Sequence, residues 1–461
     1  MRRRAPRRGP GLRRAIAAAV IGAVSLGAAC TADGSTTTTA APSSTPPASP
    51  GSTPPVNPGA TPDPRIPRIE PGGAPTLAGV IEALCVAPDV PGGRVDPAPL
   101  PAEVAAVVAQ VEQVRSLRFK RPVVANAISD EVMDRKLAES FDVYFPEEPL
   151  ARRSAAWRTI GVLPPRGDLR EALASFLTGQ VVGFYDPATG ELVYLGEGDL
   201  GLTERLVLAH ELTHALEDQR FDLTRLDDLA AACRDEAFQA ALGVVEGSAQ
   251  FHAIEVLVEF PPTDLGGLDP GTQGSLAGVP PFVISLQRWP YEVGLEFVTQ
   301  LVLDEGTEAL DAALERPPTS TEQLIHPELF GVDEPSRVEI ADLSTALGSS
   351  WGDLDAMEVG EAWLGAMLEL QLDDDVAAIA AQGWDGGAYR AWSDGARVAV
   401  VMQTVWDSDA DAQQFVVRLT EWVAQAGSPP VDIAFADDGV RVVFASDAAT
   451  LERATAGLAA V

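Results

Sequence analysis

The pentapeptide His210-Glu211-Leu212-Thr213-His214 lies inside an apolar, helix-compatible run over residues 202–216. On an α-helix, positions four apart differ by about 40° around the axis, so His210 and His214 present their imidazoles side by side. Two imidazoles in that relation make a two-pronged clamp for zinc, a borderline-soft cation that takes nitrogen ligands. Glu211, about 100° further round, is badly placed as a third ligand. It is well placed to take a proton from a water that the metal polarises. The chain has only 4 histidines, which makes a chance H-E-x-x-H rare. Any fold that uses this pair must return a third ligand to the same helix.

The stretch over residues 226–260 reads as one long helix and offers Asp235, Glu236, Glu246 and Glu255 for that role. Glu246 lies far enough beyond His214 for a loop and a returning helix. Around it, Gly243, Gly247, Ser248 and Ala249 allow a close approach to a neighbouring helix. A metzincin is excluded, because it would need glycine at 217 and histidine at 220, where this chain has Glu217 and Arg220.

The start of the chain reads as an address. Residues 1–14 are strongly basic and residues 15–29 are apolar and small, as in a secretory signal peptide, and too short for a comfortable membrane span. Cys30 follows Gly27-Ala28-Ala29 and resembles the lipobox cysteine of bacterial lipoproteins, although Gly27 stands where an aliphatic residue is usual. The expected form is therefore extracytoplasmic, held to a membrane by a lipid on Cys30, or secreted if that cysteine is unmodified. Residues 30–74 are rich in Ser, Thr and Pro, lack apolar periodicity and read as a disordered tether. In an oxidising exterior Cys85 and Cys233 are free to form one disulfide. The formal net charge of −34 includes the seven arginines of the first thirty residues, so the remainder is more acidic still. Such a surface repels phosphate backbones and disfavours nucleic-acid binding.

The body, residues 75–335, begins with a helix carrying Val104, Val107, Val108, Val111 and Val114, then a strand over 117–128 and helices near 130–140, 150–160 and 168–177. Two apolar runs, 180–185 and 191–195, flank Asp186-Pro187-Ala188-Thr189-Gly190 as a hairpin. An edge strand just ahead of the histidine helix is a natural rail for an extended peptide. Residues 336–461 contain no histidine or cysteine. They read as a smaller α+β domain: a helix over 356–372, a strand near 397–405, a helix over 410–426, a hairpin around Asp437-Asp438-Gly439 and a last helix.

H-E-L-T-H with a glutamate on a later helix resembles the gluzincins, the thermolysin-like zinc metallopeptidases. The run from His210 to Gln219, Glu246-Gly247-Ser248-Ala249, Pro290-Tyr291 with Gly294, and Pro317-Pro318-Thr319-Ser320-Thr321-Glu322-Gln323 with His326-Pro327 resemble a little-characterised family of exported bacterial gluzincin-like proteins. The resemblance implies an α+β, mainly helical zincin-like domain with a small sheet, one zinc ion on His210, His214 and Glu246, and Glu211 as base. His326 and Tyr291, both in the recognised segments and both able to donate a hydrogen bond, are candidate oxyanion donors. His252 reads as structural. Two departures weaken the outer support: Ser248 stands where relatives tend to have Asp, and Gln250 where thermolysin-type enzymes place an Asp that orients a histidine. The expected activity is hydrolysis of a peptide or protein substrate. The rival expectation is an inactive zincin-like surface lipoprotein that binds a partner or serves a structural role.

Overall fold

A computed structural model describes residues 61–86, 93–178, 181–196, 200–261, 276–426, 430–436 and 439–460. The signal peptide, Cys30, the tether up to residue 60, Gln180 and the Asp437-Asp438 turn lie outside the described residues.

Helix α1 (Leu77–Leu84) starts on Thr76, whose side chain accepts the Gly79 amide. Helix α2 (Ala102–Arg115) buries Val104, Val107 and Val111 at the helical spacing. Strand β1 (Val124–Ile128) is shorter than the strand expected over 117–128. Pro122 has no amide for a ladder, and the amides of Phe119 and Arg121 are taken instead by the side chains of Glu112 and Gln219. Helices α3 (Asp130–Tyr144), α4 (Glu147–Ile160) and α5 (Leu169–Thr178) follow, near the expected places. Strands β2 (Gly183–Asp186) and β3 (Glu191–Leu195) form the expected antiparallel hairpin. With β1 parallel to β3, the sheet order is β1-β3-β2, so β2 is an edge strand.

Helix α6 (Leu202–Phe221) carries the two histidines and packs Leu208, Leu212 and Leu216 into one core with Val104, Val107, Leu192 and Tyr194. The helix expected over 226–260 is two, α7 (Arg225–Ala231) and α8 (Asp235–Glu259). The chain turns between them at Cys233, with φ +48° and a disulfide to Cys85.

Helix α9 (Pro281–Asp304) crosses α8 where Gly243 and Gly247 meet Gly294. A methyl on Gly247 would run into the Gly294 carbonyl, and one on Gly294 into that of Gly243. Pro290 lies inside α9 and cannot donate to the Leu286 carbonyl, which accepts the Gln239 amide of α8 at 3.0 Å instead. Although α8 is long and apolar enough to cross a membrane, most of it is buried in this body. Helices α10 (Thr307–Glu315) and α11 (Glu322–Ile325) complete the first half.

The rest comprises α12 (Ser344–Leu347), β4 (Gly352–Glu358), α13 (Glu361–Glu369), α14 (Asp374–Ala381), β5 (Trp384–Ser393), β6 (Val398–Trp406), α15 (Asp409–Ala426), β7 (Val431–Ala436), β8 (Gly439–Ala445) and α16 (Ala448–Leu458). Its five strands run antiparallel in the order β4-β5-β6-β8-β7. The helix expected from residue 356 begins only at Glu361, because residues 352–358 pair with β5. Both sheet faces are buried. Val398, Val400 and Met402 share a core with Trp157, Phe282 and Trp363, while Ala399 and Val401 face Leu77, Val80 and Trp351.

The protein is thus α+β, with a helical part around a three-stranded sheet and a second part built on five strands. Residues 62–461 nevertheless form one compact unit. Residues 62–74, assigned by composition to the tether, are part of it: Gly72 bridges to Gly352, and the Ala74 amide donates to Asp353 at 2.8 Å.

Candidate metal centre

Three side chains from α6 and α8 converge. His210 Nε2 and His214 Nε2 stand 3.0 Å apart, and Glu246 Oε2 lies 3.1 Å from the first and 3.4 Å from the second. Among the described residues this is the single group of three or more His, Cys, Asp or Glu side chains whose ligand atoms all fall within 4.8 Å of one another. Two facing imidazole nitrogens repel unless a proton or a cation lies between them. Tetrahedral ligands at about 2.0–2.1 Å from a central ion are separated by about 3.3 Å, which the three observed distances approach.

The electrostatics of the trio point the same way. Burial opposes a charge on His214, yet Glu246 holds the imidazole up, at about 9. Burial likewise opposes ionisation of Glu246, but the two histidines keep its carboxyl far below the ordinary range.

The competing carboxylates are engaged elsewhere or lie outside the trio. Asp235 pairs with Arg153 at 2.8 Å, Glu236 accepts the Thr321 hydroxyl at 2.6 Å, and Glu255 is not part of the group. Gly247, adjacent to Glu246, is one of the three glycines that let α8 reach α9, so the helix crossing also bears on the place of Glu246. The residues 347–458 match a domain of unknown function (DUF8575). No curated protein and no solved structure matches the chain. The matched stretch contains the five-stranded sheet and none of the trio.

Glu211 sits on α6 beside the trio and is 8% exposed. Burial pushes its carboxyl up, while the two histidines and the nearby Tyr185 backbone oppose the shift. Tyr185 belongs to edge strand β2, and its hydroxyl donates to Asp218 of α6 at 2.7 Å. Tyr185 therefore ties that strand to the helix. Sequence reasoning missed this contact; the only available signal was a hairpin placed just before the histidine helix.

Tyr291 of α9 joins the site. Its ring lies 6.4 Å from that of His210 with an interplanar angle of 22°. The nearby charge of Glu246 is the main cause that raises its pKa well above the ordinary value, although the residue is 38% exposed. His326, the other candidate donor, is seated on Glu361 at 3.1 Å rather than on the trio, and that partner raises its pKa. His252 is fully buried, with Nδ1 on the Ser248 carbonyl at 2.8 Å. Burial pushes its pKa down to about 3, consistent with a structural role.

The outer support is uneven. His214 Nδ1 is buried without a hydrogen-bond partner. Ser248 does not orient a ligand histidine: its hydroxyl donates to Glu217 at 2.6 Å, and Arg115 holds the same carboxylate at 2.7 Å.

Proposed function

We propose that this chain is a zinc-dependent peptidase of gluzincin type, acting outside the cytoplasm from a membrane to which Cys30 is lipid-linked. The observation that carries the reading is the convergence of His210 Nε2, His214 Nε2 and a Glu246 carboxylate oxygen within 4.8 Å, with the Glu211 carboxylate beside them. Zinc bound there would supply a Lewis acid for water and for the scissile carbonyl. Glu211, buried beside the trio, takes the proton of the attacking water at its carboxylate and passes it to the leaving amine. Tyr291, whose ring lies beside His210, donates its hydroxyl to the developing oxyanion. An extended peptide lies along β2, whose position as edge strand beside α6 suits strand addition.

The test is the zinc content and peptide hydrolysis of the chain from residue 62 onward, with Glu246→Ala and Glu211→Gln. About one tightly held zinc, loosened in Glu246→Ala, and hydrolysis lost in Glu211→Gln with zinc retained, are the expected results. A well-folded parent without zinc refutes the reading. The second reading, an inactive zincin-like surface lipoprotein, is favoured by the unsupported His214 Nδ1. It predicts zinc binding without chelator-sensitive hydrolysis.

A further inference from the structure

Three consecutive residues at the start of α8 are tied to the C-terminal part of the chain. Arg234 Nε reaches Glu358 of β4 at 3.1 Å. Asp235 holds Arg153 at 2.8 Å, and Arg153 reaches Asp355 of β4 at 3.4 Å. The Glu236 carboxylate accepts the Thr321 amide at 2.5 Å and its hydroxyl at 2.6 Å; the same hydroxyl accepts the Ala362 amide of α13 at 3.1 Å. Gly360, just before α13, is pressed against the Glu236 carboxylate so closely that a side chain has no room.

Helix-end chemistry explains the arrangement. A helix leaves its first amides unsatisfied and its N-terminus partly positive. Neither α8 nor α13 has a side-chain cap of its own. Glu358 of β4 stands at the start of α8, where it holds the Arg234 guanidinium. Thr321 accepts the Ala362 amide in the first turn of α13, as a capping residue would. Two helix starts thus meet at one seam, and the cap of α13 comes from outside its own helix. This accounts for a polar segment, Ser320-Thr321-Glu322-Gln323, that is almost wholly buried. Glu246 stands about 15 Å along α8 from Glu236.

We propose that the C-terminal domain anchors the helix of the third ligand, with Glu358 of β4 and, from the first part of the chain, Thr321, which joins Glu236 to the start of α13, as positioning residues that fix the start of α8 and thereby the place of Glu246 against His210 and His214. The domain of unknown function then acts on the site through α8 and contributes no reacting group. The inference rests on the metal reading for one of its two readouts.

The experiment uses the full chain and measures zinc affinity by chelator competition and hydrogen exchange of the α8 amides in zinc-free protein. Thr321→Val and Glu358→Ala are compared with the conservative Thr321→Ser. Val401→Ala, a core truncation on the sheet face toward α1, is the control for general destabilisation. Expected are an affinity loss of about 10-fold or more in both seam variants and faster exchange over the first half of α8. Thr321→Ser should hold parent values, and Val401→Ala should lower Tm without either effect. Parent affinity and parent exchange in the seam variants overturn the inference, as does an equal effect of Val401→Ala at equal Tm loss. A folded parent that binds no zinc refutes the metal reading, and the exchange comparison then decides the inference alone.

Discussion

Tyr291 is the residue whose removal best separates binding from chemistry. On the proposed mechanism Tyr291→Phe deletes the hydroxyl that serves the oxyanion and leaves the ring beside His210. Turnover should fall about 100-fold with zinc content unchanged, as for loss of an oxyanion donor. An unchanged kcat would remove Tyr291 from the mechanism. The site was legible in sequence to the extent that its chemistry is local. His210, Glu211 and His214 announce themselves because their spacing alone sets their geometry. Glu246 needed the resemblance, since the four carboxylates on the following stretch are chemically equivalent and only the fold of α8 against α6 brings one of them to the two histidines. The hold of Tyr185 on Asp218 of α6 left no signal beyond the hairpin itself, because it joins residues 33 apart with no motif between them. His326 shared a motif with the site without sharing its location; a histidine before proline serves the Glu361 carboxylate equally well.

At the scale of elements, the α8–α9 crossing does the most to define the centre. Gly247→Ala would force a methyl into the Gly294 carbonyl. Overpacking of this kind costs about 1–3 kcal/mol, and because Gly247 neighbours Glu246 the same shift should weaken zinc binding. Gly365→Ala in α13, where an added methyl meets nothing within 4 Å, should gain up to about 1 kcal/mol and leave zinc binding alone. Denaturant melts of the two variants check both signs. The glycines around Glu246 suggested close packing from sequence, but the partner helix could not be named. Strand β4 was misread for a physical reason: Leu354, Ala356, Met357 and Glu358 are helix formers, and pairing with β5 overrides their preference. Strand β5 escaped notice because Gly386, Gly387 and Arg390 do not look like a strand interior. Arg390 is tolerated there because Asp353 takes its guanidinium at 2.8 Å.

The division of the chain at residue 335 follows composition, whereas its core ignores it: Trp157 and Phe282 pack with Trp363 in one cluster. No periodicity reveals that two amphipathic halves bury their faces against each other. The same seam holds two buried acids with raised pKa values. Burial, then the facing Glu361, Asp407 and Asp333, push Glu322 up to about 8, with His326 opposing, and burial raises Glu236 to about 7 against two hydrogen bonds from Thr321. A carboxyl whose pKa is higher folded than unfolded binds more protons in the native state between those two values. Its contribution to stability is therefore greatest below about 4.5 and falls as pH rises through the folded pKa. Glu322→Gln keeps the shape and the hydrogen-bonding capacity but has no proton to lose. Its Tm should fall less than that of the parent between pH 5 and pH 9, the pair diverging by several degrees with the variant the more stable at the alkaline end. Parallel curves would mean that Glu322 ionises in the folded chain as it does in the unfolded one, and the seam would then carry its acids without strain.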